Sequence, residues 1–239
     1  MGKRTKDGLS DMGSKKDKRR TDESIGVYTE TTSKEEEDQK EKKIDFEFTV
    51  QEKVVDLGLD ISSAVTGLVL LDTVGRLEKM DFIKLNTSKL TNIFEKADYA
   101  KEWLESNIKG YKIRNIFVEA NAKMFTKGFS SADTLFTLAK MNALISYLSH
   151  KQFNAPVIDV NVASARSRIG YKNNLKDKRP VKEKVREFVL KNYSEIVIRH
   201  HVAKTGKHKG SVVMDAEMAD CIDAFVICKG GQVILSETK

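Results

Sequence analysis

Four carboxylates stand at the edges of apolar runs, where a side chain can meet a substrate: Asp60, Glu119, Asp220 and Asp223. Asp60 closes the run VVDLGLD (54–60), and Glu119 closes IRNIFVE (113–119). Asp220 and Asp223 are spaced i, i+3, so on a helix they share a face. Their neighbours Ala219, Cys221, Ile222, Ala224, Phe225 and Val226 make that helix apolar, and acids in such a setting need partners. A Lys or Arg would serve. A hard divalent cation such as Mg²⁺ or Mn²⁺ fits oxygen ligands and is the partner we favour. If the two strands are neighbours and the helix packs across them, the four acids converge. Left alone they would repel one another and raise one another's pKa values. Two ions about 4 Å apart could activate a water and stabilise the leaving oxygen of a phosphodiester. A fifth acid, Asp215, reads instead as an N-cap or first-turn residue of the last helix.

The elements that must position these groups follow from the apolar pattern. Strands are predicted at 54–60, 65–72 and 77–85, with a turn at Thr73-Val74-Gly75-Arg76; connections this short make an antiparallel meander. Residues 92–107 show helical spacing at Ile93, Ala97, Ala100 and Leu104. A fourth strand spans 113–119, a long helix 132–150 and a short fifth strand 157–160. Residues 162–169 and 180–192 read as helices, with Pro180 suited to a first helical turn. The last helix is predicted over 215–228 and ends at Gly230-Gly231. This order is α/β, a mixed five-stranded sheet with three antiparallel strands first and helices on both faces.

The charge map points to nucleic acid. The chain of 239 residues carries a net charge of +7, and residues 160–213 hold fourteen Lys/Arg against four Asp/Glu. The rest is therefore net negative, and such asymmetry is the footprint of phosphate binding. Within this region Arg166, Arg168, Lys172, Lys176, Lys178, Arg179, Lys182, Lys184, Arg199, Lys204, Lys207 and Lys209 are candidate phosphate contacts. The stretch RHHVAKTGKHK (199–209) reads as a mobile basic loop; His200, His201 and His208 match no zinc spacing. In NAKMFTKGFSS (121–131), Lys127 adds a cation, while Phe125 and Phe129 are either base-stacking wedges or anchors for the next helix. Residues 1–43 have few large apolar side chains, a basic first half and an acidic second half, and read as a disordered charged tail ahead of a folded part, 44–239. No window approaches the ~18 apolar residues of a membrane span, and the first forty residues hold no secretory signal core. Cys221 and Cys228 form neither a disulfide framework nor a zinc pair, and read as buried small hydrophobes in a reducing, cytoplasmic setting.

Together these residues resemble the RuvC-type Holliday junction resolvases. LGLDISSAVTGLVLLD (57–72) resembles the family's opening strand pair with its catalytic Asp, and FVEANAKMF (117–125) its second acidic strand end followed by an aromatic. ADTLFTLAKMNALIS (132–146) resembles the long helix, VKEKVREFV (181–189) the basic helix that approaches DNA, and DCIDAFVIC (220–228) the closing acidic motif. The match covers roughly 53–230. It implies a ribonuclease H-like fold, a homodimer, and Mg²⁺-dependent nicking of two strands of a four-way DNA junction. Its catalytic and metal-holding set would be Asp60, Glu119, Asp220 and Asp223, with two Mg²⁺ ions for which Mn²⁺ could substitute; Lys182 and Lys184 would hold phosphate near the scissile bond. The turn after Asp60 reads Ile61-Ser62-Ser63 and lacks the family's Pro-Gly, the gap from Glu119 to Phe125 is longer than usual, and 199–210 looks like an insertion. Composition and extra segments point to a phage or viral member, acting in the host cytoplasm. The rival readings are a broader nuclease of the same fold, acting on flaps, branched DNA or RNA–DNA hybrids, and a non-catalytic dimer that binds branched DNA.

Overall fold

The computed structural model describes residues 52–120 and 132–238, all within the unit Thr49–Lys239. The proposed tail and the start of the folded part at residue 44 lie outside the described residues. Strands β1 (Lys53–Ile61), β2 (Val65–Asp72), β3 (Leu77–Lys84), β4 (Tyr111–Glu119) and β5 (Val157–Val160) form one sheet in the order β3-β2-β1-β4-β5. The first three pair antiparallel, while β1–β4 and β4–β5 are parallel. This is the mixed five-stranded sheet expected from the sequence.

Alternation along the strands divides the core in two. Leu57, Leu59 and Ile61 of β1, with Leu68, Leu70, Ile116 and Val118, face helices α1 (Ile93–Ile108) and α2 (Ala132–Phe153). Val69, Leu71 and Phe117 face the other way. There they meet α3 (Val162–Arg168), α4 (Val181–Asn192) and α5 (Met218–Glu237). Burying one side chain the size of Phe117 or Phe225 contributes about 2–3 kcal/mol, and both are fully enclosed. No helix among the described residues is long and apolar enough to cross a membrane.

Three expectations change. The last helix does not stop at Gly230-Gly231 but runs on to Glu237. A Cβ at Gly230 would stand 2.5 Å from Ala165 Cα, and one at Gly231 would collide with the Phe117 ring, so both glycines are there for close packing rather than termination. The helix also begins later, at Met218, and Asp215 sits in the turn before it. The stretch expected as a mobile loop is ordered as a hairpin, β6 (His200–Val202) paired antiparallel with β7 (Val212–Met214). Cys221 and Cys228 are buried free thiols, as expected.

Candidate active site

Strand register places the first two acids. In the parallel β1–β4 ladder Leu59 pairs with Val118, so the next residues, Asp60 and Glu119, end adjacent strands side by side. Leu59 and Val118 both face α1 and α2. Alternation therefore turns Asp60 and Glu119 to the opposite face, toward α5. The chain reverses directly after Asp60. Ser62 Oγ donates to Val65 O at 2.7 Å and accepts from the Ala64 and Val65 amides at 3.2 and 3.0 Å. This serine turn takes the place of the expected Pro-Gly. Asn142 on α2 donates to Glu119 O at 3.0 Å and holds the end of β4.

Two glycines let α5 bring the other acids in. Gly67 pairs with Asp60 across β1–β2, and a Cβ on it would stand 2.5 Å from Asp220 O. A Cβ on Gly58 would stand 2.7 Å from Ala224 O. With neither present, the helix lies directly on the strand backbones, and Asp220 and Asp223 come down beside Asp60. At the far end of the contact Asp56, fully buried on the same face of β1, accepts from Gln232 Nε2 at 2.7 Å and Asn115 Nδ2 at 2.9 Å and pairs with Arg114.

The electrostatics show that the four carboxylates share one field. Burial, then Asp223, Glu119 and Asp220 in turn, push the Asp60 carboxyl up to about 8; Lys182 offsets part of this. Burial and then Asp223 raise Glu119, against Lys182 and Arg166. Asp220 is raised chiefly by burial, with Lys182 opposing and Asp223 adding. Asp223 is the most enclosed and takes the cations directly: Lys182 Nζ lies 2.8 Å from Oδ2 and Arg166 Nη2 lies 3.8 Å from Oδ1. Burial would lower the Lys182 ammonium, but its bond to Asp223 and the fields of Asp60 and Asp220 outweigh that and raise it.

The donor set fits a hard divalent cation in its chemistry. All four groups supply oxygen, and three of them are held away from their ordinary ionisation by burial and by each other. Among the described residues no three His, Cys, Asp or Glu side chains are close enough together to grip an ion as they stand. The Lys182 ammonium, bonded to Asp223 and felt by Asp60 and Asp220, supplies positive charge to the cluster.

The basic candidates divide by what they touch. Lys172, Lys176, Lys178, Lys204, Lys207 and Lys209 are exposed. Lys182 and Arg166 sit on the carboxylates. Lys184 is a correction: it is 9% exposed and its ammonium donates to Asn174 O and Asp177 O at 3.2 and 2.9 Å, so it ties down the 174–177 loop instead of waiting for phosphate. Arg179 is engaged with Asp177 and Glu187, both at 2.8 Å. Arg168 pairs with Glu237 at 2.9 Å. Arg199 pairs with Asp81 and stacks over Phe82. Phe125, Lys127 and Phe129 lie outside the described residues. Sequence reasoning placed Arg166 among surface contacts and missed that it backs Asp223; its position in the short helix after β5 carried no signal of that. Asp215 does not join the cluster and pairs with His201 at 2.7 Å.

No protein-family model matches the chain, and no curated protein matches it in sequence. Solved structures do. The chain is similar to Thermus thermophilus RuvC at 14% identity, over 77% of this chain and 96% of that one, with a TM-score of 0.52. It is similar to T. thermophilus RuvC in complex with Holliday junction substrate at 12% identity, over the same shares, with a TM-score of 0.50. The yeast mitochondrial Holliday junction resolvase aligns at 12% identity over 78% of this chain and 80% of that one, with a TM-score of 0.46. At these identities the likeness shows the fold alone: the mixed sheet and its flanking helices have the ribonuclease H-like arrangement seen in T. thermophilus RuvC.

Proposed function

We propose that this protein is a structure-specific endodeoxyribonuclease that resolves four-way DNA junctions by hydrolysing phosphodiester bonds in paired, symmetric nicks. The observation that carries this reading is the convergence of Asp60, Glu119, Asp220 and Asp223 into one field at the strand ends of a RuvC-type fold, flanked by Lys182 and Arg166. Hydrolysis adds water across a P–O bond, with the new bond at phosphorus and a proton delivered to the leaving oxygen.

Asp60, Glu119, Asp220 and Asp223 would hold Mg²⁺ or Mn²⁺, which supplies activation of the attacking water and stabilisation of the leaving oxygen. The chain's own groups do the rest. Lys182, 72% exposed at the start of α4, reaches from the surface to Asp223 and can exchange that contact for an incoming phosphate oxygen. Arg166, only 17% exposed, stays behind Asp223 and holds its carboxylate in place. The exposed lysines of the 172–178 loop extend the cationic surface outward from Lys182. Two active sites are needed for paired cuts in a two-fold junction, and a homodimer supplies them. Phe136 and Tyr147, 60% and 61% exposed and three turns apart on α2, offer an apolar stripe that a second copy could cover.

The test is cleavage with Mg²⁺ of a synthetic four-way junction beside duplex, flap and RNA–DNA hybrid of matched sequence, using wild type, Asp60→Asn and Asp223→Asn. Paired nicks in the junction alone, lost in both variants, are expected. Equal cutting of flaps or hybrids would make it a broader nuclease. Tight binding without cutting under either metal would leave a junction-binding module.

A further inference from the structure

The β6–β7 hairpin takes no part in the carboxylate site, yet it is built as a fixed arm. Its root is held on edge strand β3 and on the turn before α5. Arg199 bonds Asp81, and its guanidinium lies 4.5 Å from the centre of the Phe82 ring. The Asp215 amide donates to Arg199 O at 3.0 Å, and His201 meets the Asp215 carboxylate at 2.7 Å. Beyond the strand pairs the ladder continues, with Ala203 N to Ser211 O at 2.9 Å and Gly210 N to Ala203 O at 2.8 Å. Gly206 and Gly210 turn the tip at φ of 78° and 84°, which side chains with a Cβ resist.

What this arm presents is one-sided. Residues 199–211 contain no acid. Lys204, Lys207 and Lys209 are exposed, and among the described residues none of them forms an ion pair. Val202 and Val212 face each other across the two strands and are 55% and 69% exposed. An open groove of about 570 Å³, lined by Arg186 and Leu190 of α4 and by Ile196, Ile198, His200 and Met214, runs between α4 and the hairpin root. A two-stranded ribbon anchored at its root, with a cationic tip and an apolar cross-strand pair, matches the width and charge of a DNA major groove.

Its position sets which DNA it can reach. Phe82 pairs with Gly67 and Gly67 with Asp60, so the root lies in the same sheet row as the catalytic carboxylate. That row spans two strand spacings, about 10 Å. The strand and tip extend at most about 20 Å farther. At about 3.4 Å of rise per phosphate of one strand, the lysines fall several base pairs from the scissile bond. We infer that the β6–β7 ribbon grips one duplex arm of the branched substrate in its major groove, with Lys204, Lys207 and Lys209 on the flanking phosphates. This inference rests on the nuclease reading for the location of the scissile bond, but its binding test is independent of cleavage.

The experiment compares wild type with Lys204→Gln/Lys207→Gln/Lys209→Gln, and with Lys101→Gln/Lys109→Gln/Lys112→Gln, three exposed lysines at and just after α1, as a control for net charge. Affinity for a four-way junction and for a linear duplex is measured against salt, together with dimethyl sulfate protection of guanine N7 and the single-turnover cleavage rate at saturating protein. Three lost phosphate contacts reduce the slope of log K against log salt by about 3 and weaken binding roughly 100-fold at 0.1 M salt. We expect those losses on both DNAs, together with loss of N7 protection several base pairs from the cut. An unchanged slope, or the same loss in the Lys101/Lys109/Lys112 variant, overturns the grip. A loss confined to the junction overturns the duplex-arm assignment, and N7 reactivity unaffected by wild type overturns the major groove. If wild type binds with this slope but cuts nothing, the nuclease reading fails and the grip stands.

Discussion

Replacing Asp60 with Asn should make the metal-free protein more stable at neutral pH while abolishing cleavage. In the fold the Asp60 carboxyl is pushed from 3.8 up to about 8 by burial and by Asp223, Glu119 and Asp220. Between those two pH values the folded protein holds a proton that the unfolded chain has released, so stability falls as pH rises. The slope approaches 1.4 kcal/mol per pH unit for one such group, and its integral from pH 4 to pH 7 is about 4 kcal/mol. Relaxation of the ionised side chain toward water and toward Lys182 reduces that to about 2 kcal/mol. The Asn side chain is neutral throughout and escapes the loss. Thermal unfolding in EDTA should therefore give equal stability for the two proteins near pH 4, and the Asp60→Asn variant ahead by about 4–8 °C at pH 7. Saturating Mg²⁺ should raise the wild type and leave the variant unmoved, closing or reversing the gap. A variant less stable than wild type at pH 7, or a gap that does not change with pH, would refute the shared-field argument.

Three further outcomes follow from the same geometry. Gly67→Ala puts a Cβ against the Asp220 backbone and should cost about 1–3 kcal/mol in urea unfolding, with a loss of kcat exceeding any change in DNA affinity, because Asp220 and Asp223 are displaced. Gln232→Leu removes a donor from buried Asp56 and should cost about 1–3 kcal/mol; a neutral result in chemical denaturation would show that Arg114 and Asn115 suffice. Phe136→Ser/Tyr147→Ser should shift the protein toward monomer in analytical ultracentrifugation without lowering its melting temperature by more than a few degrees, and should convert paired nicks to single ones.

The sheet was legible because its strands are apolar and short-connected, and Asp60 and Glu119 stood out because each closes such a run. Asp220 and Asp223 were legible as polar interruptions in an apolar helix. What a local pattern does not carry is partnership at a distance. Basic residues were counted alike, yet Lys184 is consumed by its own loop and Arg179 by Asp177 and Glu187. The hairpin was hidden because its anchors, Asp81 and Phe82, lie more than a hundred residues upstream. Gly230 and Gly231 signal a helix end locally, but packing against Ala165 and Phe117 requires them inside one. Asp56 passed for part of a buried strand, since its partners Arg114, Asn115 and Gln232 are 58, 59 and 176 residues away.

The seating of α5 on β1 is a comparison of two unlike rulers. Asp60, Gly58 and Asp56 are spaced by two strand residues, about 6.6 Å, while the helix positions that meet them step by four, about 6 Å. The mismatch of about 0.6 Å per step is small over two steps and would become a full misfit over many. The contact therefore stays in step along its length, with the Asp56–Gln232 bond at one end and the acids at the other. Loops that carry DNA contacts can absorb changes in length. The helix between Asp223 and Gln232 cannot, since one added residue would swing Asp220 and Asp223 by about 100° away from Asp60.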